Sequence, residues 1–145
     1  MTNAKITPLS SMPSVKQAQL QSATVVPKMY LSIENSELDK TLNCIIYIIE
    51  VGILIGQNVH THQVHKRYSA LNQFDDLVRP VFYDNRNLQP FPPKKVFGNK
   101  DAEFIAHRAQ ALQNYVLSLL RVPGMVETPA FIRFFEIDSN LLNHA

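Results

Sequence analysis

The stretch that decides the fold is residues 59–78. It reads Val59-His60-Thr61-His62-Gln63-Val64-His65-Lys66-Arg67-Tyr68 and then Ser69-Ala70-Leu71-Asn72-Gln73-Phe74-Asp75-Asp76-Leu77-Val78. Up to Tyr68 the β-branched and aromatic content reads as a strand. After it the period changes: Leu71, Phe74, Leu77 and Val78 recur at three- and four-residue steps, while Asp75, Asp76 and Arg79 take the opposite face. That spacing predicts a helix over 69–78, halted by Pro80.

On the N-terminal side, residues 24–33 and 42–54 are also rich in β-branched and aromatic residues, and Asn/Ser/Glu/Asp and Gly-Gln-Asn clusters separate the three runs. They predict an antiparallel three-stranded meander. The middle run, Cys44-Ile45-Ile46-Tyr47-Ile48-Ile49, is nearly continuous in apolar residues, as in a strand with partners on both sides or a buried helix; its Ile and Tyr content favours the strand. Residues 1–23 hold Ser, Thr, Gln, Pro and small residues without periodicity, and are expected to form a disordered or loosely attached arm.

On the C-terminal side, a loop over 82–99 contains Pro90, Pro92 and Pro93 with Arg86, Lys94, Lys95 and the pair Val96-Phe97. Loops this long inside a small domain usually serve a function. A second helix follows, capped by Asn99 or Asp101, with Ile105, Leu112, Tyr115, Val116 and Leu119 as its apolar stripe and Pro123-Gly124 ending it. A third, short helix starts with Thr128 as N-cap and Pro129 in its first turn, and buries Phe131, Phe134 and Phe135.

The chain has 145 residues, enough for one domain with a core of its own. Its net charge of +2 and 18% charged residues exclude a disordered acidic tail or a histone-like basic protein. The longest apolar stretch, 44–55, is interrupted by Glu50 and Gly52 and falls well short of the roughly 20 residues that a spanning helix requires. The single Cys44 forms no internal disulfide, and residues 1–5 lack a leader pattern, so a cytoplasmic protein is expected.

Charge is unevenly spread. Residues 66–100 carry seven basic and three acidic residues, a local balance of +4, whereas the remainder sums to −2. That asymmetry suits a phosphate or an anionic surface, or else a solvated charged face. Arg108 falls on the apolar stripe of the second helix, where a guanidinium needs an anionic partner. One reading is a structural ion pair with a carboxylate such as Glu50, or a stem that packs while its head reaches water; the other is ligand binding. His60, His62 and His65 suggest zinc, but alternation of faces along a strand separates His65 from the other two, and no cysteine lies near. No enzyme signature emerges: a cysteine-type phosphatase wants arginine six positions beyond its cysteine, where Glu50 stands, and four glycines supply no kinase phosphate loop. Nucleic-acid binding is disfavoured by the small net charge and the few aromatics among the basic residues.

Three separated motifs then occur in order: Val64-His65-Lys66-Arg67-Tyr68-Ser69, Phe91-Pro92-Pro93-Lys94-Lys95-Val96-Phe97-Gly98, and Phe104-Ile105-Ala106-His107-Arg108 followed by Leu112-Gln113-Asn114-Tyr115. Together they resemble the phox-homology (PX) domain, of sorting-nexin-like type, over residues 24–137. The resemblance implies an α+β fold: a three-stranded antiparallel meander packed against three to four helices, with a proline-rich loop. It leaves residues 1–23 as an arm and 138–145 as a C-terminal tail.

It also implies a non-enzymatic phosphoinositide-binding module, without cofactor or metal, most often recognising phosphatidylinositol 3-phosphate on endosomal membranes in trafficking and sorting. Position by position, Arg67 matches the arginine that holds the 3-phosphate, Tyr68 the aromatic against the inositol ring, and Lys94 the lysine that meets the 1-phosphate, with Lys95 as the alternative. Arg108 matches the helix arginine that bonds the 4- and 5-hydroxyls. Val96 and Phe97 match the apolar loop that enters the bilayer, unless Phe97 packs beneath the loop. Ala70 and His62 depart from the family pattern, where an acidic residue and a tryptophan are common; both bear on local packing more than on ligand contact. The same fold can instead serve protein partners, through residues 90–93 or the N-terminal arm.

Overall fold

The structure is a computed structural model that describes residues 4–94 and 101–143. The strands are β1 (Lys5–Pro8), β2 (Met29–Asp39), β3 (Cys44–Ile55) and β4 (Asn58–Arg67); the helices are α1 (Ser14–Ser22), α2 (Tyr68–Val78), α3 (Ala102–Leu119), α4 (Pro129–Phe134) and α5 (Ser139–Leu142). The α+β class expected from the sequence is what is found. The meander β2-β3-β4 is present, and β3 is a strand along its whole apolar run. Gly56, with φ +62°, takes the tight two-residue turn between β3 and β4 that an L side chain would strain.

The sheet has four strands rather than three, in the order β1-β4-β3-β2 with every neighbouring pair antiparallel. The extra strand comes from the N-terminal region, and this corrects the expectation of a disordered arm over 1–23. Lys5–Pro8 pairs with residues 58–61, the Leu9 amide bonds the Gln57 carbonyl at 2.8 Å, and α1 packs on the outer face of the sheet. There Met12 and Leu20 join Tyr30 and Val59 in a second, small core. The sequence concealed this layer because α1 has no apolar stripe and buries only Leu20 fully. β2 also differs, beginning at Met29 and running to Asp39 through a register shift between Ile33 and Asn35. Its polar half is held by backbone pairing to β3, which composition does not report.

The main core lies between the inner sheet face and the helices. Tyr47, Ile49, Val51, Ile53 and Val64 meet Leu71, Phe74, Leu112, Tyr115, Phe131 and Phe135. Leu112, Tyr115, Val116 and Leu119 of α3 are fully buried, as their spacing predicts. The Gln113 amide accepts from the Ile33 amide and donates to the Leu31 carbonyl at 3.1 Å, tying α3 to the open edge of β2. Thr128 caps α4, its hydroxyl accepting from the Phe131 amide at 3.1 Å with Pro129 in the first turn.

Two details of α2 correct the sequence reading. Asp75, expected on the solvent face, is buried, and Leu77, expected on the apolar stripe, is 67% exposed. The tail over 138–145 is likewise not wholly unstructured, since α5 places Leu141 and Leu142 against the core.

Candidate functional site

β4 runs directly into α2, and this junction places the first two candidate residues. Arg67 is the last residue of β4 and the extended N-cap of α2; its side chain is exposed and makes no ion pair among the described residues. Tyr68 opens the helix. Its hydroxyl donates to the Pro92 carbonyl at 2.6 Å, and its ring lies 5.3 Å from that of Phe91. Burial pushes the Tyr68 phenol up, with the nearby Arg108 charge acting in the opposite sense.

Arg108 is buried on α3. Its guanidinium carbon is 3.9 Å from the Tyr68 ring centroid and 4.5 Å from that of Phe104, and Nη2 donates to the Pro93 carbonyl at 3.2 Å. The Tyr47 phenol of β3 also meets it: burial pushes that phenol up, while the Arg108 charge and hydrogen bond act in the opposite sense. Cation–π contacts of this kind stabilise by about 0.5–2 kcal/mol, more as water is excluded. No carboxylate pairs with Arg108 among the described residues. Glu50, the partner considered from the sequence, lies on the outer sheet face, where it accepts from Lys16 and from the Tyr30 hydroxyl at 2.7 Å. The ion-pair reading with Glu50 is thus corrected: the parity of β3 positions sends Tyr47 and Glu50 to opposite faces.

The proline segment is fastened at its start. The Gln89 carbonyl accepts from Arg79 Nη2 at 2.7 Å, and its amide donates to the Ser118 hydroxyl at 3.1 Å. Arg79 is itself held by Asp75, which both bonds its Nε and accepts from the Tyr115 hydroxyl at 2.7 Å. Phe91 meets the Tyr115 ring edge-to-face at 5.0 Å. One buried carboxylate therefore ties α2, α3 and the proline segment together, and the segment's Pro92 and Pro93 carbonyls are turned toward Tyr68 and Arg108. Asp75 sat among polar residues in the sequence, and nothing there marked it as buried.

A groove of about 490 Å³ opens beside this cluster, lined by Pro92, Pro93, Phe104 and Arg108 together with Asp101, Glu103 and His107. Of the four candidate residues only Arg108 lines it. Tyr68 touches Arg108, Lys94 is exposed next to Pro93, and Arg67 adjoins Tyr68 in the chain. The structure thus joins Tyr68 to Arg108 and places Arg67 and Lys94 one residue from Tyr68 and Pro93, two of the groups that hold Arg108. Lys95, Val96 and Phe97 lie outside the described residues, as does Asn99. Phe104 stood in the quoted motif without a role; its place against Arg108 follows from their i, i+4 spacing on α3. His62, where a tryptophan is common, bonds the Phe135 carbonyl at 2.7 Å and so joins β4 to the residue that ends α4.

The fold and this cluster define a class of protein: an α+β module that presents cations beside a proline segment. The chain belongs to the PX domain family, whose model matches residues 54–138. A rat PX domain-containing protein kinase-like protein is 43% identical over 70 residues, 48% of this chain and 11% of that protein, so the chain spans only a small part of such relatives. A designed CISK-PX domain superposes with a TM-score of 0.62 at 18% identity, covering 74% of this chain and 98% of the other. The mouse SNX19 PX domain, solved with a bound sulphate ion, gives 0.57 at 17% identity, covering 76% and 97%. PX domains are generally non-enzymatic, phosphoinositide-binding modules of membrane trafficking that meet membranes peripherally. No helix among the described residues is long and apolar enough to cross a membrane.

Proposed function

We propose that this chain recognises phosphatidylinositol 3-phosphate and brings the protein that carries it to endosomal membranes for sorting or transport. The observation that carries the reading is Arg108: a buried guanidinium held by the Tyr68 and Phe104 rings, the Pro93 carbonyl and the Tyr47 phenol, all neutral groups, with no carboxylate among the described residues. Such a cation retains donors for an oxygen-rich ligand. In this assignment Arg67 takes the 3-phosphate, for which its planar fork suits two parallel hydrogen bonds. Tyr68 offers its ring to the inositol C–H face, and Lys94, or Lys95, meets the 1-phosphate as a point charge. Arg108 bonds the 4- and 5-hydroxyls, which disfavours larger groups there. Val96 and Phe97 enter the bilayer beside the lysines, the basic residues adding about 1 kcal/mol each near an anionic surface.

The module acts without catalysis, metal or cofactor and from the cytoplasmic side. Docking of protein partners on the proline segment or the N-terminal region is the weaker reading, because Pro92 and Pro93 bond inward and residues 5–22 are packed on the sheet. Liposome sedimentation over a phosphoinositide panel tests the reading. Binding is expected to 3-phosphate vesicles and to be lost in Arg67→Ala; an Arg67→Ala chain that sediments like the parent would overturn the site, and failure to bind any phosphoinositide would overturn the function.

A further inference from the structure

A second groove, of about 560 Å³, lies between α2 and α4 and shares no lining residue with the Arg108 groove. Its space exists because the facing residues Ala70 and Ala130 are small. Phe74 and Phe134, stacked at 4.7 Å, supply aromatic surface, and Leu77 lines it while 67% exposed. The apolar stripe of α2 is thus wider than the core beneath it consumes. Scattered exposed leucines are ordinary, but one in a concave apolar site provides a place for an inserted side chain.

The charged residues lining this groove are Lys66 and Arg133, both positive. Arg133 is exposed and has no carboxylate partner among the described residues. Lys66 lies 4.4 Å from the Phe134 ring centroid and only 3.9 Å from a Glu136 oxygen, at the outer limit of an ion pair. An apolar concavity flanked by two weakly engaged cations complements a segment that alternates apolar side chains with carboxylates.

We propose that the α2–α4 groove docks an acidic, apolar peptide segment of a partner protein, a leucine or phenylalanine entering beside Leu77 and Phe134 while flanking carboxylates meet Lys66 and Arg133. A bilayer fits less well, since a flat surface cannot fill a recess between two helices. Because the two grooves are built from different residues, peptide and phosphoinositide are accommodated together.

The test is selection of phage-displayed random peptides on the immobilised full chain, followed by fluorescence anisotropy with the enriched peptide made synthetically. Enrichment of acidic sequences containing leucine or phenylalanine is expected, with binding reduced tenfold or more by Leu77→Asp and by Arg133→Glu. A peptide with its carboxylates exchanged for lysines should regain affinity for the Arg133→Glu chain, a readout that misfolding would not give. Phosphoinositide sedimentation and thermal unfolding should be unchanged in both variants. Four results would overturn the proposal: no enriched peptide, or only basic or proline-rich ones; peptide binding indifferent to both substitutions; phosphatidylserine vesicle binding weakened by Leu77→Asp, which assigns the groove to the membrane; or self-association of the parent chain that Leu77→Asp abolishes, which assigns it to a second copy.

Discussion

Lys16 and Arg108 are both drawn out of water, on opposite sides of the same sheet, and they are treated differently. Lys16 bonds Glu34 at 2.7 Å and also bonds Glu50, with Tyr30 completing the cluster through Glu50. Arg108 has two rings, the Pro93 carbonyl and the Tyr47 phenol, none of them an anion. A cation neutralised within the chain is fixed as structure, and it fastens α1 to the outer face. One left with neutral partners keeps its charge available to an anionic or hydroxyl-rich ligand. The difference separates a scaffold cation from a candidate site cation without reference to any motif.

Four measurements would break or sharpen that contrast. The largest effect belongs to the outer layer as a whole: Leu20→Ala should cost about 2–5 kcal/mol, the usual range for emptying a fully buried leucine position, read as a lower thermal midpoint and faster amide exchange over residues 5–22. An unchanged midpoint would mean that this layer is not part of the cooperative unit. Next, Arg108→Leu should lower phosphoinositide-vesicle binding tenfold to a hundredfold, equivalent to about 1.5–3 kcal/mol for lost charge-assisted hydrogen bonds, while moving thermal stability by less than about 1 kcal/mol. Loss of fold instead of binding would make Arg108 scaffold too.

Lys16→Met should show the reverse, costing about 1–2 kcal/mol of stability by stranding Glu50 and leaving vesicle binding as it was. If lipid binding falls with it, the two faces are coupled. The smallest effect is that of pH. Burial raises the Glu34 carboxyl, but hydrogen bonds from Lys16 and Ser32 outweigh this and hold it below the usual range. A carboxylate depressed in the folded state stabilises above its unfolded value near 4.3 and loses that contribution as pH falls through the folded value. For a pair whose carboxylate is one-third open to solvent the effect is roughly 0.2–1 kcal/mol. Exchange over residues 14–22 should therefore accelerate below about pH 4 in the parent chain and less so in Glu34→Gln.

Much of the site-bearing half was legible in the sequence because its signals are local. The change of period at Tyr68 marked the strand-to-helix junction, Thr128 and Pro129 marked the start of α4, and Leu112, Tyr115, Val116 and Leu119 buried the face of α3 that their spacing assigned. Arg108 stood out for lying on that same face. Its neighbours did not. Glu50 seemed available until the pleat of β3 sent it to the other side of the sheet, and Asp75 and Leu77 exchanged the environments that a simple helical wheel gave them. A wheel treats a helix as having one wet side, whereas the Asp75 carboxylate is taken up by Arg79 and by Tyr115 of α3, and Leu77 opens onto the groove beside α4.

What the sequence determined by itself was the order of elements from β2 to α4, the family, and the identities of the candidate ligand groups, since periodicity, capping and motif order are properties of neighbours in the chain. What only the tertiary structure decided was the fourth strand and its α1 cover, the turning of the Pro92 and Pro93 carbonyls onto Tyr68 and Arg108, and the groove between α2 and α4. These depend on which faces meet across long sequence separations. Weakly patterned segments such as residues 5–22 carry too little local signal to announce a contact that a few buried side chains and one ion-paired lysine are sufficient to hold.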